Sequence, residues 1–196
     1  MKKKKEPGLY RFLRPIVSFL FKLLYRPTII GKENIPKEGR VVICSNHMNN
    51  LDCIIIIAST KRCIHFLAKD ELFNSKMGWF FRGLGLIPVN RRTKDGNALA
   101  KAIEYLNDDK TIGIFPEGTF NKSNDPILPF KIGAVKMAHD TNTVIVPCVL
   151  KGKYKIFKKS ITAEYFEPIS IDTDNLDDAN KMLMDFYSSK LDDREV

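Results

Sequence analysis

Short β-branched runs alternate with helix-period segments along most of this 196-residue chain. Thr28–Ile30, Val41–Ser45, Ile64–Leu67, Ile87–Val89, Thr111–Phe115, Thr143–Cys148, Lys153–Phe157 and Ile161–Phe166 have the composition and bounding turn residues of strands. Between and after them, Leu51–Ser59, Met77–Leu84, Asn97–Leu106, Ile132–His139 and Asn175–Lys190 predict helices. In the last of these Leu176, Ala179, Leu183 and Phe186 recur at helical spacing, and Asp172, Asp174, Asp177 and Asp178 suit its N-terminus. Such alternation predicts an α/β layered domain, a central mixed sheet flanked by helices.

Residues 1–26 follow a different pattern, which sets them apart as a basic segment from an expected domain over 27–196. Arg11, Arg14, Ser18, Lys22 and Arg26 are spaced three and four apart, one narrow polar stripe on a helix. Phe12, Ile16, Phe19, Leu20, Leu23 and their apolar neighbours fill a wide face opposite, with Pro15 expected to kink the helix or mark its first turn. The apolar run is broken by Lys22 and is shorter than the roughly 20 residues a spanning helix needs. It lacks a small-residue cleavage site, so a signal peptide is not expected. An amphipathic helix lying in an anionic membrane surface fits best, at the cytoplasmic face and peripheral or monotopic. The alternative is a helix packed on the protein's own core with a solvated polar edge.

Composition narrows the picture further. With 44% hydrophobic and 28% charged residues, the chain is neither disordered, collagenous nor polytopic. The formal charge of +9 is densest at the N-terminus, where eight basic residues stand against Glu6 alone. Its aromatics lie on the apolar face instead of alternating with the basic residues, which argues against nucleic acid as a partner. Cys44, Cys53, Cys63 and Cys148 form no CxxC pair and have no His-rich spacing. Buried thiols in a reducing compartment are therefore expected, with no disulfide framework and no metal site.

Three constellations can carry chemistry. The first is His47 with Asp52, placed between the strand VVICS and the helical run LDCIIIIAS. At a strand-to-helix turn, Asp52 can reach back to one imidazole nitrogen and leave the other to accept a proton from a hydroxyl. The same spacing recurs at His65 and Asp70, but His65 lies in the strand IHFLAK. Strand positions five apart face opposite ways, about 16 Å from each other, so that pair is not expected to meet. The second constellation is Phe115-Pro116-Glu117-Gly118-Thr119, which ends the strand TIGIF at a sheet edge, where open α/β sheets bind ligands. The third is Gly83-Leu84-Gly85-Leu86-Ile87-Pro88-Val89-Asn90-Arg91-Arg92, whose arginines suit phosphate binding.

In this order HMNNLD, GLIPVNR and FPEGT resemble the first three sequence blocks of the 1-acyl-glycerol-3-phosphate acyltransferases, a family of glycerolipid acyltransferases. Val146-Pro147 matches the fourth, and the resemblance covers about residues 28–150. It implies acyl transfer from a thioester, acyl-CoA or acyl-carrier protein, to the free hydroxyl of a lysophospholipid, with no cofactor and no metal. It also implies His47 as general base, Asp52 as its orienting carboxylate, and Arg91, Glu117, Gly118 and Thr119 as acceptor-binding residues. Lys69 matches a basic position that helps hold the acceptor phosphate. One departure stands out: members that take a phosphate acceptor typically continue the third block with arginine, and this chain has Phe120.

Lysophosphatidate is the first expectation for the acceptor; a different lysolipid and a non-catalytic peripheral membrane protein are the alternatives. Main-chain N–H groups near Asn49–Leu51 or around Gly118 are candidates to hold the oxyanion. A hydrolase with Cys44 or Ser45 as nucleophile is disfavoured by the absence of GxSxG.

Overall fold

In the computed structural model, which describes residues 5–90, 96–123 and 125–192, the apolar runs assemble into one seven-stranded sheet. Its strands are β1 (Thr28–Ile30), β2 (Val41–Ser45), β3 (Ile64–Lys69), β4 (Ile87–Val89), β5 (Thr111–Ile114), β6 (Ile145–Gly152) and β7 (Ile161–Tyr165), in the order β1-β7-β6-β2-β5-β3-β4. Neighbours are parallel except β6 and β7, which are antiparallel, so the sheet is mixed.

Among the described residues seven α-helices accompany it: α1 (Gly8–Tyr25), α2 (Asp52–Ser59), α3 (Asp70–Phe73), α4 (Gly78–Gly83), α5 (Gly96–Asn107), α6 (Gly133–Asp140) and α7 (Leu176–Asp192). β2 is buried from end to end because both faces of the sheet are covered. Its side chains alternate between two cores. Val42 and Cys44 pack with α5, α6 and α7, whereas Val41 and Ile43 pack with α1 and α2.

Two local expectations are corrected. Lys153–Phe157 is not a strand. β6 runs on to Gly152, which pairs with Ile161 of β7, so residues 153–160 form the hairpin connection. Pro15 lies inside α1, which begins just after Pro7, and so does not mark its first turn.

The polar stripe of α1 is not all turned outward either. Ser18 is buried with Tyr10 and Phe21, and Arg14 is half-buried, donating from Nε to the Thr60 carbonyl at 2.9 Å. The surplus apolar residues face solvent instead, Phe12 and Phe19 each 67% exposed. Among the described residues no helix is long and apolar enough to cross a membrane.

Candidate active site

Parallel pairing of β2, β5 and β3 brings the residues that follow each strand to one edge of the sheet. Cys44 of β2 stands opposite Ile114 of β5, so the turn carrying His47 and the turn carrying Glu117 leave the sheet side by side. Open α/β sheets bind ligands at such carboxyl edges.

His47 is held at nearly every available atom. Its main-chain N–H donates to Glu117 Oε1 at 2.8 Å, and its carbonyl accepts from the Asn121 N–H at 2.9 Å. Phe115 stacks on one ring face with centroids 3.9 Å apart, and Phe120 tilts against the imidazole at 4.3 Å. Phe115 in turn stacks on Phe66, an arrangement that Gly113 permits: a Cβ there would lie 2.4 Å from the Phe66 ring. His47 Nδ1 is 2.9 Å from Asp52 Oδ2. Because a carboxylate only accepts, Nδ1 carries the proton and the lone pair of the neutral ring sits on Nε2. Among the described residues nothing bonds Nε2.

Asp52 is fully buried and saturated with donors. Oδ2 also accepts the N–H groups of Met48 at 2.6 Å and Asn49 at 2.7 Å, while Oδ1 accepts the Tyr154 hydroxyl at 2.7 Å. Burial, and then the charge of Asp52, push the Tyr154 phenol far above its ordinary range, so it stays a neutral donor. Tyr154 is fixed from the other side by Phe21 and Tyr25 of α1. Asn46 completes the turn by exchanging two hydrogen bonds with the main chain of Leu150, at 3.0 and 2.8 Å. Neither Tyr154 nor Asn46 stood out from the sequence. Tyr154 lies 102 residues from its partner, and no spacing rule links them.

The remaining predicted residues separate into groups. Glu117 is buried and spends both carboxylate oxygens on main-chain N–H groups, of His47 and of Leu128 at 2.9 Å, so it braces the two turns. Burial raises its pKa against the opposing effect of those hydrogen bonds. Gly118 has φ +70°, and a Cβ there would meet Lys131 Cε at 2.9 Å. The Lys131 side chain thus crosses the turn, a cation that the sequence did not single out.

Thr119 and Lys69 line the same slot as His47. Arg91 lies outside the described residues. The N–H groups of Asn49, Leu51 and Gly118 are engaged by Asp52 Oδ2, Asn49 Oδ1 and the Phe115 carbonyl. None of these three is free for an oxyanion.

The slot has a volume of about 560 Å³, within the usual range for small-molecule sites. His47, Asn50, Lys69 and Thr119 are among its polar lining residues, and Leu13 and Val17 of α1, Ile54 and Ile57 of α2, and Phe80 and Phe81 of α4 supply apolar lining. The N-terminal helix is therefore one wall of the site.

Nucleophilic alternatives find no support in the geometry. Burial pushes the Cys44 thiol up to about 12 and that of Cys53 up to about 11, so both are neutral. Ser45 is fully buried and donates to the Asn46 carbonyl at 3.1 Å.

Among the described residues one trio, Glu6, Cys63 and His65, brings three ligand atoms within 4.8 Å of one another. Lys110 Nζ lies 3.5 Å from Glu6 Oε2, so the carboxylate of the trio already has a cationic partner. Asp70, the sequence partner of His65, is not its partner in space.

Comparison with known proteins agrees with this geometry. The acyltransferase family profile matches residues 26–151. A 1-acyl-sn-glycerol-3-phosphate acyltransferase of Borreliella burgdorferi is 38% identical over 136 residues, which span 68% of this chain and 54% of that protein. One from Bacillus subtilis is 30% identical over 156 residues, 77% of each chain. The chain thus spans about half the length of the first relative and about three quarters of the second. The crystal structure of the 1-acyl-sn-glycerophosphate (LPA) acyltransferase PlsC from Thermotoga maritima has the same fold, with a TM-score of 0.74 at 22% identity over 94% of this chain and 80% of that one. With a profile match across most of the domain and a relative aligned over most of both lengths, the chain belongs to the acyltransferase family of the 1-acyl-sn-glycerol-3-phosphate acyltransferases.

Proposed function

We propose that the protein transfers a fatty acyl group from a thioester to the free hydroxyl of 1-acyl-glycerol-3-phosphate, giving phosphatidic acid. The observation that carries this is His47, immobilised by Asp52 with Nε2 unbonded among the described residues, in the lining of a mostly apolar slot. Nε2 takes the hydroxyl proton as the acceptor oxygen attacks the thioester carbonyl. The tetrahedral intermediate then collapses, breaking the C–S bond, and the departing thiolate receives the proton from the imidazolium. A thioester is already activated, so the base and correct positioning suffice, general-base assistance contributing about 10²–10⁴ in rate. Asp52 keeps the tautomer, and Glu117 keeps the turn that presents the ring.

The slot takes an acyl chain, and α1 lets the enzyme meet its lipid substrates at the cytoplasmic face of an anionic membrane. Donors are acyl-CoA or acyl-carrier protein. Lys69 at the slot and Lys131 over Gly118 supply cations for the acceptor phosphate, with Arg91 on the segment beyond β4. One observation favours a second acceptor class: Phe120, at the position where the family resemblance implies an arginine for phosphate acceptors, packs on His47, which suits a lysolipid with another head group. The test follows free thiol when each donor is offered with lysophosphatidate and with a panel of other lysolipids. Thiol release with lysophosphatidate, lost in His47→Ala, is expected. Release with another lysolipid alone selects the second acceptor class, and no release with any pair overturns the enzymatic assignment.

A further inference from the structure

The hairpin between β6 and β7 has features its place in the fold does not require. At its tip Ile156 and Phe157 are 57% and 65% exposed, and Phe157 has φ +60°. A bulky aromatic in the left-handed region crowds its own carbonyl oxygen, and this one leaves most of its surface exposed. The tip is bracketed by exposed Lys153, Lys155, Lys158 and Lys159, and no acidic residue occurs from Gly152 to Ala163. The Phe157 N–H donates to the Leu24 carbonyl, which fixes the tip beside the C-terminal end of α1. There Leu20 and Leu23 are also exposed, so helix and hairpin share one apolar surface rimmed by positive charge.

We propose that this hairpin is a second bilayer-contacting element, with Ile156 and Phe157 entering the acyl region and the four lysines meeting anionic headgroups. The assignment rests on the membrane-surface role proposed for α1. An acidic protein would account for the lysines alone; an apolar pair between them, continuous with the exposed face of α1, fits an anionic lipid surface. The same loop carries Tyr154 to Asp52, so the element that meets lipid also braces the His47 turn.

Phe157→Trp in a Trp79→Phe background places a single tryptophan at the tip, since Trp79 is the chain's one tryptophan. On phosphatidylglycerol-containing vesicles with brominated acyl chains, its emission is expected to shift blue and lose at least half its intensity. The double variant Ile156→Ser/Phe157→Ser is expected to bind such vesicles at least tenfold more weakly with an unchanged circular dichroism spectrum. Co-sedimentation of the Trp79→Phe protein reports the α1 interaction separately. Vesicles that sediment the protein yet leave the emission of the introduced tryptophan unchanged overturn the hairpin's role alone, and failure to sediment overturns both. Emission that moves with acyl-carrier protein and not with vesicles assigns the hairpin to a protein partner and also overturns the proposal.

Discussion

This chain contains two histidines with an aspartate five residues on, and the fold uses them in opposite ways. His47 sits in the turn after β2, pairs through Nδ1 with Asp52, and leaves Nε2 at the slot without a partner among the described residues. His65 sits inside β3, 1% exposed, and has both nitrogens occupied: Nδ1–H donates to the Gly85 carbonyl at 2.7 Å and Nε2 lies 3.0 Å from Glu6 Oε2. One imidazole keeps an acceptor for a reacting proton; the other ties the segment before α1 to the sheet. Burial and a carboxylate partner do not distinguish them. What differs is the second nitrogen, and a base needs it vacant.

The largest effect that can break this contrast is expected at His47. His47→Ala lowers kcat by about 10²–10⁴-fold, with the unfolding temperature and vesicle binding near wild type. Retained turnover would show that the dyad is not the base. Tyr154→Phe leaves Asp52 Oδ1 buried without its donor, a cost of about 1–3 kcal/mol. If part of that appears in the transition state, kcat falls about tenfold while KM for donor and acceptor stays close to wild type. A proportional rise in KM with unchanged kcat would instead make Tyr154 part of substrate binding.

His65→Ala should act on stability, by about 1–3 kcal/mol from the stranded Gly85 and Glu6 groups, with turnover kept by the molecules that remain folded. Loss of turnover without loss of stability would erase the distinction between the two histidines.

The smallest effect sharpens the tether. Burial raises the Glu6 pKa, but its bonds and charge interactions with His65, and the charge of Lys110, outweigh burial and hold it below 4.5. A carboxylate lowered on folding adds stability above its unfolded value, and that stability is lost as pH falls through the folded value. Protection of α1 amides, taken relative to the unstructured exchange rate at each pH, is therefore expected to fall below about pH 4.5, and Glu6→Gln should remove that dependence. Protection that stays constant with pH in both proteins would remove Glu6 from the tether.

Much of the site was legible because it is local. A turn between VVICS and a helical run places Asp52 within reach of His47 whatever the rest of the chain does, and Pro116 with Gly118 ends β5 in a tight turn. The opposite outcome at His65 was legible for the same reason, since a strand cannot fold Asp70 back onto it. Glu117 was singled out for position but not for task, because spacing places a carboxylate at an edge without saying which donors will meet it. Lys153–Phe157 misled by its alternation, a strand-like pattern produced by an inward Tyr154 and an outward tip with separate partners.

The amino-acid sequence by itself placed the seven strands of the sheet, though with a false eighth at Lys153–Phe157, together with the strand-end turns and the His47–Asp52 pair. Backbone geometry over about five or six residues suffices for each. Tertiary structure alone decided that Tyr154 completes Asp52, that Glu6 occupies His65, and that α1 turns Arg14 and Ser18 inward while Phe12 and Phe19 face outward. Those outcomes depend on which faces meet when distant segments pack, and a buried polar atom takes whatever partner the packing delivers, at any separation along the chain.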